Sequence, residues 1–105
     1  MKILALEREF GGATKEMFHT HAQAEAARVW ELYQADVIRE MYFHAEQNCA
    51  VLVLECADEA NARQVLNTLP FVQRGLIAFD LIPLKPYPGF ARLFADESKR
   101  AMGLK

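Results

Sequence analysis

What this chain lacks excludes more functions than any motif in it supports. The longest uninterrupted apolar run is Ala50 to Leu54, far short of the roughly 20 residues that a membrane-spanning helix needs. The apolar block within Met1–Glu7 is too short for a signal peptide, so the expected compartment is the cytoplasm. Two cysteines are present, Cys49 and Cys56. On one extended strand they lie about 23 Å apart at ~3.3 Å per residue, whereas a disulfide needs Cα atoms within about 7 Å. Both therefore read as small buried hydrophobes in a reducing compartment. Neither a Cys-x-x-Cys nor a His-Glu-x-x-His pattern occurs, which leaves structural zinc without support. His19 and His21 point about 200° apart around a helix, while helical metal pairs use i and i+4, and no metal is expected there. Gly11-Gly12 lacks the further glycines of a dinucleotide loop and reads as a turn. The 12 Lys and Arg are scattered among 14 Asp and Glu, for a net charge of −2, so neither nucleic acid nor an anionic membrane is an expected partner.

What is present is a core of ordinary size. The chain has 105 residues, 52% of them hydrophobic, enough for one compact domain and too few for two. Lys2 to Phe10 alternates as a strand, with Leu4 and Leu6 on one face and Ile3, Ala5 and Glu7 on the other. Thr14 is a candidate N-cap for a helix to about Gln34, since Phe18, Ala22, Ala26, Val29 and Tyr33 recur at helical spacing. Val37–Glu46 and Cys49–Cys56 read as a strand hairpin. Asp58 can cap a second helix with Ala62, Val65, Leu66 and Leu69 inward and Pro70 at its exit, and Leu76–Leu84 is a fourth strand. The order βαββαβ predicts a ferredoxin-like α+β fold with a four-stranded antiparallel sheet over residues 1–88. Residues 89–105 form an extension whose apolar positions suit a short helix lying on a partner subunit.

The strand Cys49–Cys56 is apolar on both faces, Val51/Val53 and Leu52/Leu54. A strand of that kind must be covered twice, yet two right-handed βαβ crossovers put both helices on one side. A second copy of the chain is the economical cover for the other side, with the cavity expected between two facing sheets. Burying five to seven apolar side chains there is worth about 5–10 kcal/mol at ~25 cal/mol per Å², enough to drive association.

From the hairpin onward, over about residues 37 to 88, the chain resembles the muconolactone isomerase family. The matching features are the apolar strand ending at Glu55, a short helix closing on Leu69-Pro70-Phe71, and a gapless strand reaching Leu84-Lys85-Pro86. Where the family pattern carries an Arg late in the second strand and an Asn early in the third, this chain has His44 and Ala50. The resemblance implies a dimeric α+β barrel, a homodimer or higher oligomer, and a cavity for a small organic acid or ring; it names no substrate.

Dividing each strand into a more apolar set toward the helices and a more polar set toward the inter-sheet cavity puts Ile3, Ala5 and Glu7, then Glu40, Tyr42 and His44, then Val51, Val53 and Glu55, then Ala78 and Asp80, in the cavity. Carboxylates and a neutral imidazole in an apolar space are suited to moving protons. His44 is the candidate base, Tyr42 the candidate donor to a carbonyl oxygen, and Glu40 and Asp80 the accompanying acids. The plainer alternatives are a solvated His44 beside its turn, Glu40 paired with Arg39 or a lysine at an exposed edge, Asp80 paired with an arginine across the dimer, and Glu7 and Glu55 facing solvent. Phe18, Trp30 and Tyr33 read as core packing. The function expected is a cofactor-free isomerase moving a proton on a small unsaturated or lactone acid. A non-catalytic ligand-binding or accessory module and a cofactor-independent oxygenase are the alternatives.

Overall fold

The computed structural model describes residues 1–94. Strand β1 (Lys2–Glu9) leads to helix α1 (Lys15–Gln34), strands β2 (Ile38–Phe43) and β3 (Ala50–Glu55), helices α2 (Glu59–Leu66) and α3 (Pro70–Gln73), and strand β4 (Ile77–Pro83). The sheet is fully antiparallel in the order β2-β3-β1-β4, which is the ferredoxin-like α+β arrangement that the order of elements predicts. Both predicted caps are made. The Thr14 hydroxyl accepts the Met17 N–H at 3.3 Å and the Asp58 carboxylate accepts the Asn61 N–H at 2.7 Å, each satisfying a helix-start donor that would otherwise lack a partner.

Three boundaries differ from the sequence reading. β2 ends at Phe43 rather than Glu46, because the His44 N–H closes the turn onto the Cys49 carbonyl at 2.8 Å. Pro70 does not end a helix but opens one, α3, where its missing N–H costs nothing and its fixed φ suits the first helical position. The third concerns β1. Ile3 and Ala5, both 0% exposed, pair with Leu54 and Leu52 and so lie beneath the helices, and Glu7 follows them onto that side. The strand division placed this set on the opposite face. It fails because both faces of β1 are apolar, so the more hydrophobic pair, Leu4 and Leu6, does not identify the helix side.

The core lies between α1, α2 and the sheet, with Ile3, Ile38, Leu54, Leu66 and Leu69 as its largest fully buried side chains. On the other side, Leu4, Leu6, Val51 and Val53 form a central stripe, with Ile82 beside them 43% exposed. Nothing among the described residues covers this face. After β4 the chain runs through Lys85 to Pro88 into a short 3₁₀ segment, Gly89–Phe94. The helix expected further along the extension, and its packing on a partner, lie in residues 95–105, outside the described residues.

Removing the Leu54 side chain, which is 0% exposed, is expected to destabilise the fold by about 3 kcal/mol through lost transfer energy and an unfilled cavity. Urea unfolding of Leu54→Ala followed by circular dichroism measures it.

Candidate active site

Helix α1 does not lie flat on the sheet. Leu32 is its one fully buried residue, and toward the other end a cavity of about 780 Å³ separates the helix from the strands. Its floor includes Ala50 and Leu52 of β3 and Phe79 of β4, its roof Ala22, Ala26 and Val29 of α1, and its end wall Phe71 of α3. Phe18 meets Phe71 edge to face with ring centroids 5.1 Å apart, and Trp30 stacks on Tyr33 at 5.8 Å near the mouth. Trp30 is 57% exposed and Tyr33 46%. Both line this opening, so the reading of them as core packing is corrected: the core-facing side of this stretch is taken by Val29 and Leu32, and Trp30 and Tyr33 lie off it.

Two carboxylates reach into the space. Glu7 continues the Ile3–Ala5 alternation along β1, and its Oε1 accepts the N–H of Ala50 at 2.9 Å. Ala50 lies one residue beyond the last β1–β3 pair, Leu6 with Val51, so the side chain takes the place of a ladder hydrogen bond. Glu25 comes down from α1, where its Oε1 accepts the N–H of Phe71 at 2.9 Å. That N–H belongs to the first turn of α3, whose N-cap Leu69 offers no side-chain acceptor, so α1 supplies the missing cap. No Lys or Arg forms an ion pair with either carboxylate among the described residues.

The electrostatics follow from this placement. Burial pushes the Glu7 carboxyl above the usual carboxylate range, against the pull of the Ala50 N–H, and the charge of Glu9 adds to the rise. Burial likewise raises Glu25 against the Phe71 N–H, with a further contribution from the charge of Glu7. The two acids thus sense each other across one apolar space. This is the setting in which a carboxyl can hold a proton at higher pH and exchange it with a ligand.

The sequence-derived candidates are divided by the structure. Glu40 and Tyr42 pair with Val53 and Val51 and so lie on the uncovered sheet face, as their alternation predicts, and there the Tyr42 hydroxyl donates to Glu40 Oε1 at 2.7 Å; that hydrogen bond and the carboxylate charge hold the phenol above its ordinary value. His44 stands outside the cavity, exposed, with its Nδ1 accepting the Glu46 N–H at 3.1 Å. Asp80 lies on the uncovered sheet face. Its two oxygens sit 3.0 and 2.9 Å from Arg8 Nε, and three strand spacings, about 14 Å, separate β4 from β2. Glu55, on the same uncovered face, binds the terminal ammonium group at 2.6 Å. Burial raises the thiols of Cys49 and Cys56, so neither is an activated nucleophile.

Glu7 and Glu25 were missed as a pair, although each carries a signal. The inward ladder of α1 is Phe18, Ala22, Glu25, Val29 and Leu32, at alternating four- and three-residue spacing, with one acid at its centre. Choosing Ala26 and Tyr33 instead rotates the stripe and moves Glu25 to its border. In β2, Arg39 is the extra residue of a bulge between Ile38 and Glu40, which turns Met41 and Phe43 to the helix side while Glu40 and Tyr42 pair with Val53 and Val51.

No protein-family description matches the chain, and no curated protein sequence matches it. Among solved structures it is similar to 5-chloro-2-hydroxyhydroquinone dehydrochlorinase from Burkholderia phenoliruptrix AC1100, in complex with 2,5-dihydroxybenzoquinone, with a TM-score of 0.64 over 83% of this chain and 96% of that chain at 18% identity. A likeness at that identity establishes the fold alone.

Folding raises the pKa of Glu25, so the native state binds more protons than the unfolded one once the pH exceeds the unfolded carboxyl value, and stability declines as the pH rises through the folded value. Glu25→Gln keeps an acceptor for Phe71 and removes the charge. It is expected to match the parent in thermal midpoint near pH 4 and to exceed it increasingly toward pH 7, as read by differential scanning calorimetry across that range.

Proposed function

We propose that this protein is a small-molecule-processing enzyme, a cofactor-free isomerase that moves a proton on a small unsaturated ring, with Glu7 and Glu25 as its acid–base pair. The observation that carries the reading is the pair itself: two half-buried carboxylates, each held by one backbone N–H and by no cation among the described residues, face one apolar cavity. The cavity volume falls within the roughly 300–1,000 Å³ of small-molecule sites. Shifting a double bond requires a base to take a proton from a carbon next to a carbonyl and an acid to protonate the oxygen. The proton on the base then returns at the far carbon as the oxygen gives up its own, and no electrons are gained or lost. Two carboxyls with raised and coupled affinities supply both roles. The fold shared with a dehydrochlorinase bound to a dihydroxybenzoquinone supports a ligand of one ring. Glu40 and Tyr42, on the uncovered face, take part only in a space enclosed by a second copy of the chain.

The working unit in this proposal is a homodimer joined through the uncovered face, with Leu4, Leu6, Val51 and Val53 buried between two sheets. His44 and Asp80 join the chemistry only if that interface encloses a second void. A non-catalytic binding module is the competing reading, favoured by the Arg8–Asp80 and Tyr42–Glu40 pairings, which tie up two of the sequence-derived acids. It gives no role to the unpaired Glu7 and Glu25.

Two measurements test the proposal. Proton NMR of cyclic enones and unsaturated lactones in D₂O is expected to show protein-dependent exchange of the C–H next to the carbonyl, slowed about 100-fold or more in Glu25→Gln and Glu7→Gln; exchange unaffected by both variants excludes the pair. Val53→Asp, at the centre of the uncovered face, is expected to convert a dimer to a monomer in light scattering, while a parent protein that is already monomeric rules out the interface.

A further inference from the structure

The charges around the cavity carry the reading one step further, to the class of ligand. Of the charged residues lining it among the described residues, three are glutamates whose side chains lie on the helix side, Glu7, Glu9 and Glu25, and one is Arg39, while Glu40 pairs with Val53 on the other face. That arginine keeps its charge, but it is the bulged residue of β2, its Nε donates to the Asp36 carbonyl at 2.9 Å, and its charge acts on Glu55 of the uncovered face. An anion entering this space leaves its hydration shell for apolar walls without gaining a free cation, and it approaches like charges at low effective dielectric. A hydroxylated ring meets the opposite situation. Oε1 of Glu7 and of Glu25 is taken by a backbone N–H, while Oε2 of each accepts from no protein donor among the described residues. The inner polar surface therefore offers acceptors, which form their strongest hydrogen bonds with O–H or N–H donors when the acceptor is ionised. The aromatic walls at Phe18, Phe71 and Phe79 fit the face of a flat ring.

Resting on the reading of this cavity as the ligand site, we infer that its ligand is an uncharged flat ring bearing hydroxyl or amino donors, and that the glutamates turn organic anions away. This replaces the carboxylic acid that the sequence suggested with a neutral phenol- or enol-type compound. Glu9 at the rim filters by charge, and Glu7 and Glu25 recognise the donors.

Resorcinol and 3-hydroxybenzoate are probes of nearly the same shape, one neutral and one anionic at pH 7.5, because a phenol ionises only near pH 10 and a carboxylic acid near pH 4. Trp30, the single tryptophan, stands at the mouth, so binding is read from its indole resonance together with the amide resonances of Ala50 and Phe71. Resorcinol is expected to bind at least about tenfold more tightly, equivalent to ~1.4 kcal/mol, and the ratio is expected to shrink severalfold in Glu25→Gln. Glu9→Gln, at the exposed rim, is expected to shrink it in the same direction and carries the test if the inner variant fails to fold. If 3-hydroxybenzoate perturbs the same amides and binds as tightly as resorcinol, or if both variants leave the ratio unchanged, the charge filter is overturned while the cavity stands as a ligand site. If neither probe moves these resonances, the cavity reading falls and the ligand class falls with it.

Discussion

Strand β3 sends Leu52 and Leu54 toward the helices and Val51 and Val53 away from them, and the arrangement of the molecule follows from that double apolarity. A central strand buried on one side only could alternate apolar with polar residues. This one cannot, and its neighbour β1 repeats the pattern with Ile3 and Ala5 against Leu4 and Leu6. One face is satisfied within the chain, by α1, α2 and α3. The other exposes side chains whose burial is worth several kcal/mol at ~25 cal/mol per Å², and a sheet face of that kind on a free monomer invites self-association. The homodimer proposed above is thus a consequence of composition before it is a matter of function.

The helix side contains the second constraint. α1 is anchored at its C-terminal end by Leu32, which packs into the cluster around Ile38 and Leu54. Nearer its N-terminus it is held by polar and aromatic contacts instead: Glu25 on the Phe71 N–H and Phe18 against the Phe71 ring. The small residues Ala22 and Ala26 occupy the roof between these anchors. They leave the space that larger side chains would have filled, and a helix of this length then arches over a void instead of a packed layer. The same Phe71 that closes the end wall takes its cap from Glu25, so the carboxyl proposed as a proton carrier is also part of the structural support.

The fold was legible because it depends on patterns of period two and period three to four that tertiary contacts reinforce here. Thr14 and Asp58 cap the helices the pattern predicts, and the βαββαβ order leaves few topologies. The site was much less legible. Which face of β1 turns inward is undetermined by an alternation between two apolar sets, and one reversed face moves Glu7 from the exposed side of the sheet to the cavity. In β2 the alternation is legible despite the bulge at Arg39, since Glu40 and Tyr42 face the uncovered side with Val53 and Val51 while Met41 and Phe43 face the helices. In α1 the ladder through Glu25 and the stripe through Ala26 differ by a fraction of a turn, and a charged residue at a core position weighs against the ladder that contains it. Polar residues on an inward stripe are penalised by the same rule that makes them functional candidates.

Placing Glu7 and Glu25 without cations also decides what kind of site this is. Structural acids are commonly held by arginine or lysine, as Asp80 is held by Arg8 on the open face, and such pairing lowers a carboxyl pKa and keeps the group ionised. Backbone N–H groups stabilise the ionised form as well, but here burial outweighs them and the net change is upward for both acids. A group in that condition costs stability when charged and is free to take a proton when a donor arrives. Its partner across the cavity reinforces this, since ionising one acid makes ionising the second harder. A negative charge on Glu7 therefore adds to the cost of a second charge on Glu25. An anionic ligand raises that cost by adding a third negative charge, whereas a neutral donor does not. The proposed acid–base role and the inferred exclusion of anions thus rest on one arrangement: carboxylates positioned by backbone amides at an apolar wall.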